Sequence, residues 1–399
     1  MKKQLLIPFS VLLLLIFGTI AVVMYARGYR LEFGAGKTGI SGTGLLVATS
    51  EPNGAQVFIN DHLTTATDST INLAPGTYRI RIVKQGYLPW EKTLKIDKEL
   101  VSKADALLFP SAPKLESITD DGVVSATVDP SGTRIAFTQA SGSAQQNGIR
   151  VLNMTMVPIL TLQSSSKQIA NDILDLFSMA MLSWSPDGSE ILATVSATVP
   201  AGRQATYLLL PTELNNNPQD VTETLISVRT NWAAQKAKKD KSLTNGLKSN
   251  LITIISQNFS NTLWSPDETK IAYTASESAT LPLIINPRLL GVNATPEQRR
   301  IEKGATYVYD IKEDKNYEVN LDRKLLPSAK WLPDSKHILY VTSGQIRSME
   351  FDGTNDTIIY AGPFIDGYVF PWPDGSKIVI LTNLNNPQIP PNLYTISLK

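Results

Sequence analysis

Carboxylates are the only abundant side chains in this sequence suited to acid–base chemistry or coordination, because imidazole is scarce and thiol is absent. Among 399 residues there are two histidines, His62 and His337, and no cysteine. The lack of thiol excludes disulfides, a cysteine nucleophile and thiolate zinc or iron–sulfur sites. Two histidines in separate parts of the chain poorly supply an imidazole metal cluster or a Ser-His-Asp arrangement, and a lone histidine is usually a packing or surface residue. Spaced acids occur at Asp310 to Asp314 and at Asp352 to Asp356. Neither stretch has the alternating oxygen ligands and obligatory glycine of a calcium loop, so turns account for both. No phosphate-cradling glycine loop, dinucleotide fingerprint or nucleophile elbow is present, and no cofactor is implied. The enzymatic reading left open is a glycan-active one. It needs a carboxylate pair assembled from distant strands, which leaves no local spacing to read.

Cations that could bind rather than react fall in two places. Lys236, Lys238, Lys239 and Lys241 lie between two apolar runs, and Arg288, Arg299 and Arg300 lie in a proline-punctuated stretch from Leu281 to Gly304. The lysines read as a basic tip touching an anionic envelope polymer or lipid head groups, or as a solvated helix end. The arginines belong to an ordered loop of the kind that often carries binding. Lys and Arg together number 37 against 36 Asp and Glu. That balance lacks the concentrated basic field that nucleic-acid binding requires.

The elements that must position these residues repeat. VDPSGTRIAFT from Val128, WSPDGSEILAT from Trp184, WSPDETKIAYT from Trp264, WLPDSKHILYV from Trp331 and PWPDGSKIVIL from Pro371 are copies of one unit. Proline presets φ for the second position of a type I turn and aspartate suits the third. A further strand follows each copy, at Ile149 to Asn153, Thr206 to Leu210, Thr306 to Ile311, Gln345 to Phe351 and Leu393 to Leu398. These copies resemble TolB-like β-propellers, relatives of WD-repeat proteins, over 113–399. The resemblance implies a propeller and no particular function, and the five copies with their spacing fit five blades, or six if one turn is degenerate. Ring closure predicts that a strand near Lys114 to Thr119 joins the blade of the C-terminal strand. In the largest insertion, about 221–256, Val221, Leu225, Val228 and Trp232 share one helical face, as do Leu243, Leu247, Leu251 and Ile254. That predicts a helical hairpin, or one long helix, leaving the propeller rim with the lysines between the two apolar runs.

Toward the N-terminus, strands are expected at Leu45 to Thr49, at Ala55 to Asn60 and over Tyr78 to Ile82, where Tyr78, Ile80 and Ile82 face one way. Pro52-Asn53-Gly54-Ala55, Val57-Phe58-Ile59-Asn60, Pro75-Gly76 and Gly86-Tyr87 resemble the PEGA family, small β-sandwich modules of bacterial surface proteins. Asn53 stands where the family has glutamate, and the usual Thr-Pro is missing around Thr65 to Thr67. Both are turn positions, so the implied sandwich over 44–110 is kept.

Residues 5–25, LLIPFSVLLLLIFGTIAVVMY, carry no charge and match a bilayer core as a helix of roughly 30 Å. A transmembrane helix with residues 1–4 cytoplasmic is expected. The competing reading, a cleaved signal peptide, lacks an Ala-x-Ala site and has too long an apolar stretch. Residues 26–43 are glycine-rich and read as a flexible linker. The whole reads as an all-β body on a single-pass anchor: an extracytoplasmic, non-catalytic binding or scaffold protein for an envelope protein or cell-wall polymer.

Overall fold

The computed structural model describes residues 2–26, 29–34, 37–140, 142–155, 166–196, 204–291 and 293–399; within the first forty-one residues, side-chain surroundings are described for 9–24. The chain divides into two compact units. One comprises 1–111 with Ile285–Glu297, the other 112–284 with 298–399.

In the first unit, helix α1 covers Lys2–Ala26 and contains the apolar run. Its described side chains, 9–24, amount to ~24 Å of helix. Among the described residues no helix is long and apolar enough to cross a membrane. The stretch expected to be a flexible linker instead pairs as a two-stranded hairpin, Tyr29–Gly34 with Lys37–Gly42. Tyr29, Leu31 and Phe33 alternate in sequence with Arg30, Glu32 and Gly34, the period of a strand. The sandwich follows, with a three-stranded sheet around Gly44–Glu51 and a four-stranded sheet of His62–Ala66, Gln56–Ile59, Gly76–Val83 and Trp90–Ile96. Val57, Ile80, Ile82, Trp90 and Leu94 meet Leu46 and Ala48 in its core. Asn60 and Asp61 both adopt positive φ, the geometry of a two-residue hairpin turn, and Asn and Asp are the residue types that tolerate it. Ala294, from Ile285–Glu297, packs against this core.

The second unit holds five four-stranded antiparallel sheets among the described residues. With strands lettered A to D across each sheet, the first is Ala126–Val128, Arg134–Gln139, Gly148–Asn153 and Ser166–Asn171. The second is Met181–Trp184, Ile191–Ser196, Gln204–Leu209 and Gln219–Asp220. The third is Phe259–Trp264, Lys270–Ala275, Thr306–Asp310 and Lys315–Glu318. The fourth is Lys330–Trp331, His337–Thr342, Gln345–Glu350 and Thr357–Tyr360. The fifth takes A, B and C from Val369–Pro371, Lys377–Thr382 and Asn392–Ser397, and its D strand, Leu115–Ser117, from the start of the unit. Glu116 faces Thr395 in that pairing, as ring closure predicts.

Each A–B connection is one of the repeated proline turns, Pro-Asp in four copies and Pro130-Ser131 in the first. The fourth turn residue donates its amide to the first residue's carbonyl, as in Gly188 to Ser185 and Gly375 to Trp372 at 2.9 and 2.8 Å. That fourth residue has positive φ in every copy: Gly132, Gly188, Glu268, Ser335 and Gly375. Two copies therefore hold a non-glycine residue in the left-handed region.

The motif tryptophans tie neighbouring sheets together. Trp184 Nε1 donates to Thr127 O at 3.2 Å, and Trp331 Nε1 donates to Leu263 O at 3.0 Å, in each case an A strand of the preceding sheet. Arg134 completes one junction. It pairs with Asp129 at 3.1 Å, donates to Gly188 O at 2.7 Å and lies over the Trp184 ring.

The large insertion forms two helices, α2 over Leu225–Leu243 and α3 over Ser249–Asn258. In the second sheet Ile191, Ala193 and Val195 pack with the first, while Leu192 and Leu208 point the other way and are covered by Val221, Val228 and Trp232. In the third sheet Ala272 and Val308 pack with the fourth, while Ile271 and Tyr273 meet Leu251 and Ile254 of α3. Where a rim excursion is expected, the helices thus bury one face each of two sheets. The reason is that a blade is apolar on both faces, and something must cover each.

Candidate functional site

Antiparallel order puts the A–B and C–D connections at one end of every sheet and the B–C and D–A connections at the other. These are the turn end and the loop end below.

Hydrogen bonds made within the motif engage its serine and aspartate side chains at the turn end. Ser185 Oγ donates to Asp187 at 2.6 Å and accepts from the Glu190 amide, and Ser265 repeats this with Asp267 and Lys270. The Ser185 hydroxyl, with the Ser189 amide and hydroxyl, brings the Asp187 carboxyl down to about 2. Burial opposes ionisation of Asp267, yet bonds from Ser265 and Thr269 also hold it at about 2. Burial likewise works against the Asp334 carboxylate, and the His337 Nδ1 contact at 2.6 Å together with the Lys336 and His337 amides outweighs it, leaving that group below its usual range. His337 is therefore a turn residue. His62 is exposed, with Nδ1 2.8 Å from Asn60 O.

The cations singled out in the sequence separate into two kinds. Lys236, Lys238, Lys239 and Lys241 are exposed along the C-terminal half of α2, not at the tip between the helices. Lys236 pairs with Asp240 one helical turn on, at 2.7 Å. Lys239 and Gln235 border a recess of about 220 Å³ against Pro130, Ser131, Pro186 and Asp187, so α2 lies along the turn end. The arginines do not form a cluster. Arg288 is paired with Glu297. Arg299 is tied to the fully buried Asp314 at 2.8 Å and to Pro282 O at 2.6 Å. Arg300 is exposed, on the short strand Arg300–Ile301. Asp314 also accepts from Tyr309 Oη and the Ile284 amide, and Gln298 pairs with Asn316 on the edge of the third sheet. The stretch from 281 to 284 and from 298 to 304 thus shields a sheet edge. The acids of the 352–356 stretch are also engaged, Asp352 with Thr354 and Asp356 with Tyr340 and Arg347. Among the described residues no group of three or more acids and histidines could hold a metal ion.

The loop end carries a feature that the sequence reading passed over. A groove of about 390 Å³ opens there between the fifth and first sheets, lined by Thr119, Asp120, Asp121, Gln139, Gln146 and Arg150 among others. Gln139 Nε2 donates to Asp121 at 2.9 Å, Ser117 Oγ to Asp120 at 3.0 Å, and Arg150 Nε to Ser166 Oγ at 3.2 Å. The groove is polar and open, suited to a flexible chain and not to an enclosed small molecule. Its only sequence signal is the Asp120-Asp121 pair.

Comparison with known proteins bears first on the sandwich. Residues 43–111 match the PEGA domain model. This PEGA segment coincides with the two-sheet sandwich, one residue wider at each end than the sequence boundary. No curated protein matches the chain. Similar solved structures include a chain described as TolB from Agrobacterium tumefaciens, 15% identical, covering 69% of this chain and 72% of that one at a TM-score of 0.20. The β-propeller domain of Cps50 (Swd1) from Myceliophteria thermophila is 9% identical, covering 72% and 100%, with a TM-score of 0.26. TolB from Acinetobacter baumannii is 13% identical, covering 81% and 60%, with a TM-score of 0.19.

Proposed function

We propose that this protein is a single-pass, membrane-anchored, extracytoplasmic binding or scaffold protein, in which a PEGA module and a five-bladed propeller are held near a membrane surface. The observation that carries the non-catalytic reading is the state of the repeated polar residues. Asp187, Asp267 and Asp334, with Ser185 and Ser265, are hydrogen-bonded inside their own turns. Groups so engaged hold the backbone and are not poised as acids or bases. The five sheets, the indole links between their A strands and the pairing of Leu115–Ser117 with Asn392–Ser397 support the ring. The uncharged run within α1 supports the anchor. The partner class is an envelope protein or a cell-wall polymer.

The test uses full-length protein. It should sediment with membranes through a high-salt wash, and it should capture a partner from envelope extract while turning over nothing in a broad glycosidase and peptidase panel. Robust turnover abolished by Asp120→Asn or Asp121→Asn would overturn the binding-module reading in favour of an enzyme.

A further inference from the structure

Exposed apolar side chains of the second unit concentrate at the loop end. The D–A connection between the first and second sheets, 172–180, is held rigidly. Phe177 is buried, Asp172 accepts from the Ser178 amide and hydroxyl at 2.8 and 2.6 Å, and Asp175 accepts from Tyr207 Oη at 3.1 Å. On that frame Ile173, Leu174, Leu176 and Met179 point to solvent, with Ile173 at 65% and Met181, just beyond, at 74% exposed. An ordered loop that anchors one aromatic and displays four aliphatic side chains is not a collapsed remnant of core.

The surface continues across neighbouring connections. Ala144 O accepts from the Asp172 amide, Gln139 from the first sheet reaches Asp121, and the Val123 amide donates to Pro391 O. Ile365, whose amide bonds Leu381 O, extends it across the fifth sheet. Val124, Leu384, Ile389 and Ile365 add exposed apolar area along this path. Among the described connections of this sector the charge has one sign; the B–C connection of the second sheet, 197–203, which carries Arg203 in the sequence, lies outside the described residues. Segments 118–125, 140–147, 172–180, 361–368 and 383–391 contain Asp120, Asp121, Asp172, Asp175 and Asp366 and not one Lys, Arg or His. Arg150, which lines the groove, has its guanidinium on Ser166 Oγ and O.

We propose that this sector of the loop end, over the fifth, first and second sheets, is the docking surface for a protein partner that presents a basic amphipathic segment, its aliphatic face meeting Ile173, Leu174 and Met179 and its lysines or arginines meeting Asp120 and Asp121. The inference rests on the binding-module reading and deepens it. Apolar area supplies affinity, and the single-sign field selects a cationic segment and repels an anionic one. The same field disfavours an anionic lipid surface, which would need cations beside the apolar residues.

The probe is a synthetic leucine–lysine helix of alternating apolar and basic faces, with a leucine–glutamate helix of the same spacing as its counterpart. Both are titrated by fluorescence anisotropy against full-length protein in phosphatidylcholine nanodiscs, and vesicles of phosphatidylglycerol form a third arm. The leucine–lysine helix should bind, weaken as salt rises, and lose about tenfold in affinity in Ile173→Ser/Leu174→Ser/Met179→Ser protein. Asp120→Asn/Asp121→Asn should flatten the salt dependence. Ile226→Ser, on exposed α2, should change nothing, and equal melting temperatures show that all variants fold. Equal binding of the leucine–glutamate helix, indifference to the loop substitutions, or preferential binding to phosphatidylglycerol would overturn the assignment. If an envelope partner is captured but its retention ignores these substitutions, the docking surface fails while the binding-module reading stands.

Discussion

The turn end and the loop end terminate the same strands, yet they use polar and apolar residues in opposite ways. At the turn end, carboxylates and hydroxyls face inward and close hydrogen bonds, as in Asp129, which is almost wholly buried and bonded to Ser131, Thr133 and Arg134. At the loop end, Asp172 and Asp175 fold a loop whose aliphatic side chains face outward. Repetition follows the first pattern, because a turn whose task is structural is under the same constraint in every sheet. Among the described residues the second pattern occurs in one sector only. A feature that is costly to display and is not repeated in the other sheets is where recognition is to be sought.

Removing residues 392–399 should have the largest effect and should not distinguish the ends. It deletes the C strand of the fifth sheet and unpairs both Leu115–Ser117 and Lys377–Thr382. The cooperative thermal transition of the second unit, followed by far-ultraviolet circular dichroism, should be lost; unchanged unfolding would place closure elsewhere. Arg134→Ala sharpens the contrast, since it strikes the turn end alone. It strips a partner from buried Asp129 and the bond to Gly188 O, and should lower stability by about 2–4 kcal/mol in urea unfolding while leaving binding at the loop end intact. The smallest effect is one of pH. Asp187 and Asp267 sit at about 2 in the fold, below the ordinary carboxylate value near ~4. A depressed carboxyl stabilises the fold above its unfolded pKa, and that contribution is lost as pH falls from ~4 through ~2. Urea midpoints should drop across that window, and Asp267→Asn should make the drop shallower.

Local signals were legible in the sequence and pairwise ones were not. Proline followed by aspartate, or by Ser131-Gly132 in the first copy, announces a turn by itself, so all five A–B connections could be placed from sequence. The helical face through Val221, Leu225, Val228 and Trp232 was also legible, but nothing in its period says that Leu192 and Leu208 wait beneath it. Arg299 read as a surface cation because its partner, Asp314, lies fifteen positions on and is buried only in the folded sheet. The loop-end patch escaped for the same reason. In Asp172-Ile173-Leu174-Asp175-Leu176-Phe177 the apolar residues look alike, and only the fold decides that Phe177 is anchor and Leu174 is display.

The pairing of Glu116 with Thr395, 279 positions apart, carries a consequence in time. During synthesis at about 10 residues per second, the Leu115–Ser117 strand waits roughly half a minute before its partner exists. Over that interval the first sheet can form from local hairpins, but its flank toward the fifth sheet, including Ile135, Phe137 and Leu152, stays uncovered. A chain under synthesis must therefore pass through a stage with an open sheet face. Arrival of the fifth sheet's strands, Asn392–Ser397 among them, covers that face and ends the period in which misassembly with a neighbouring copy competes.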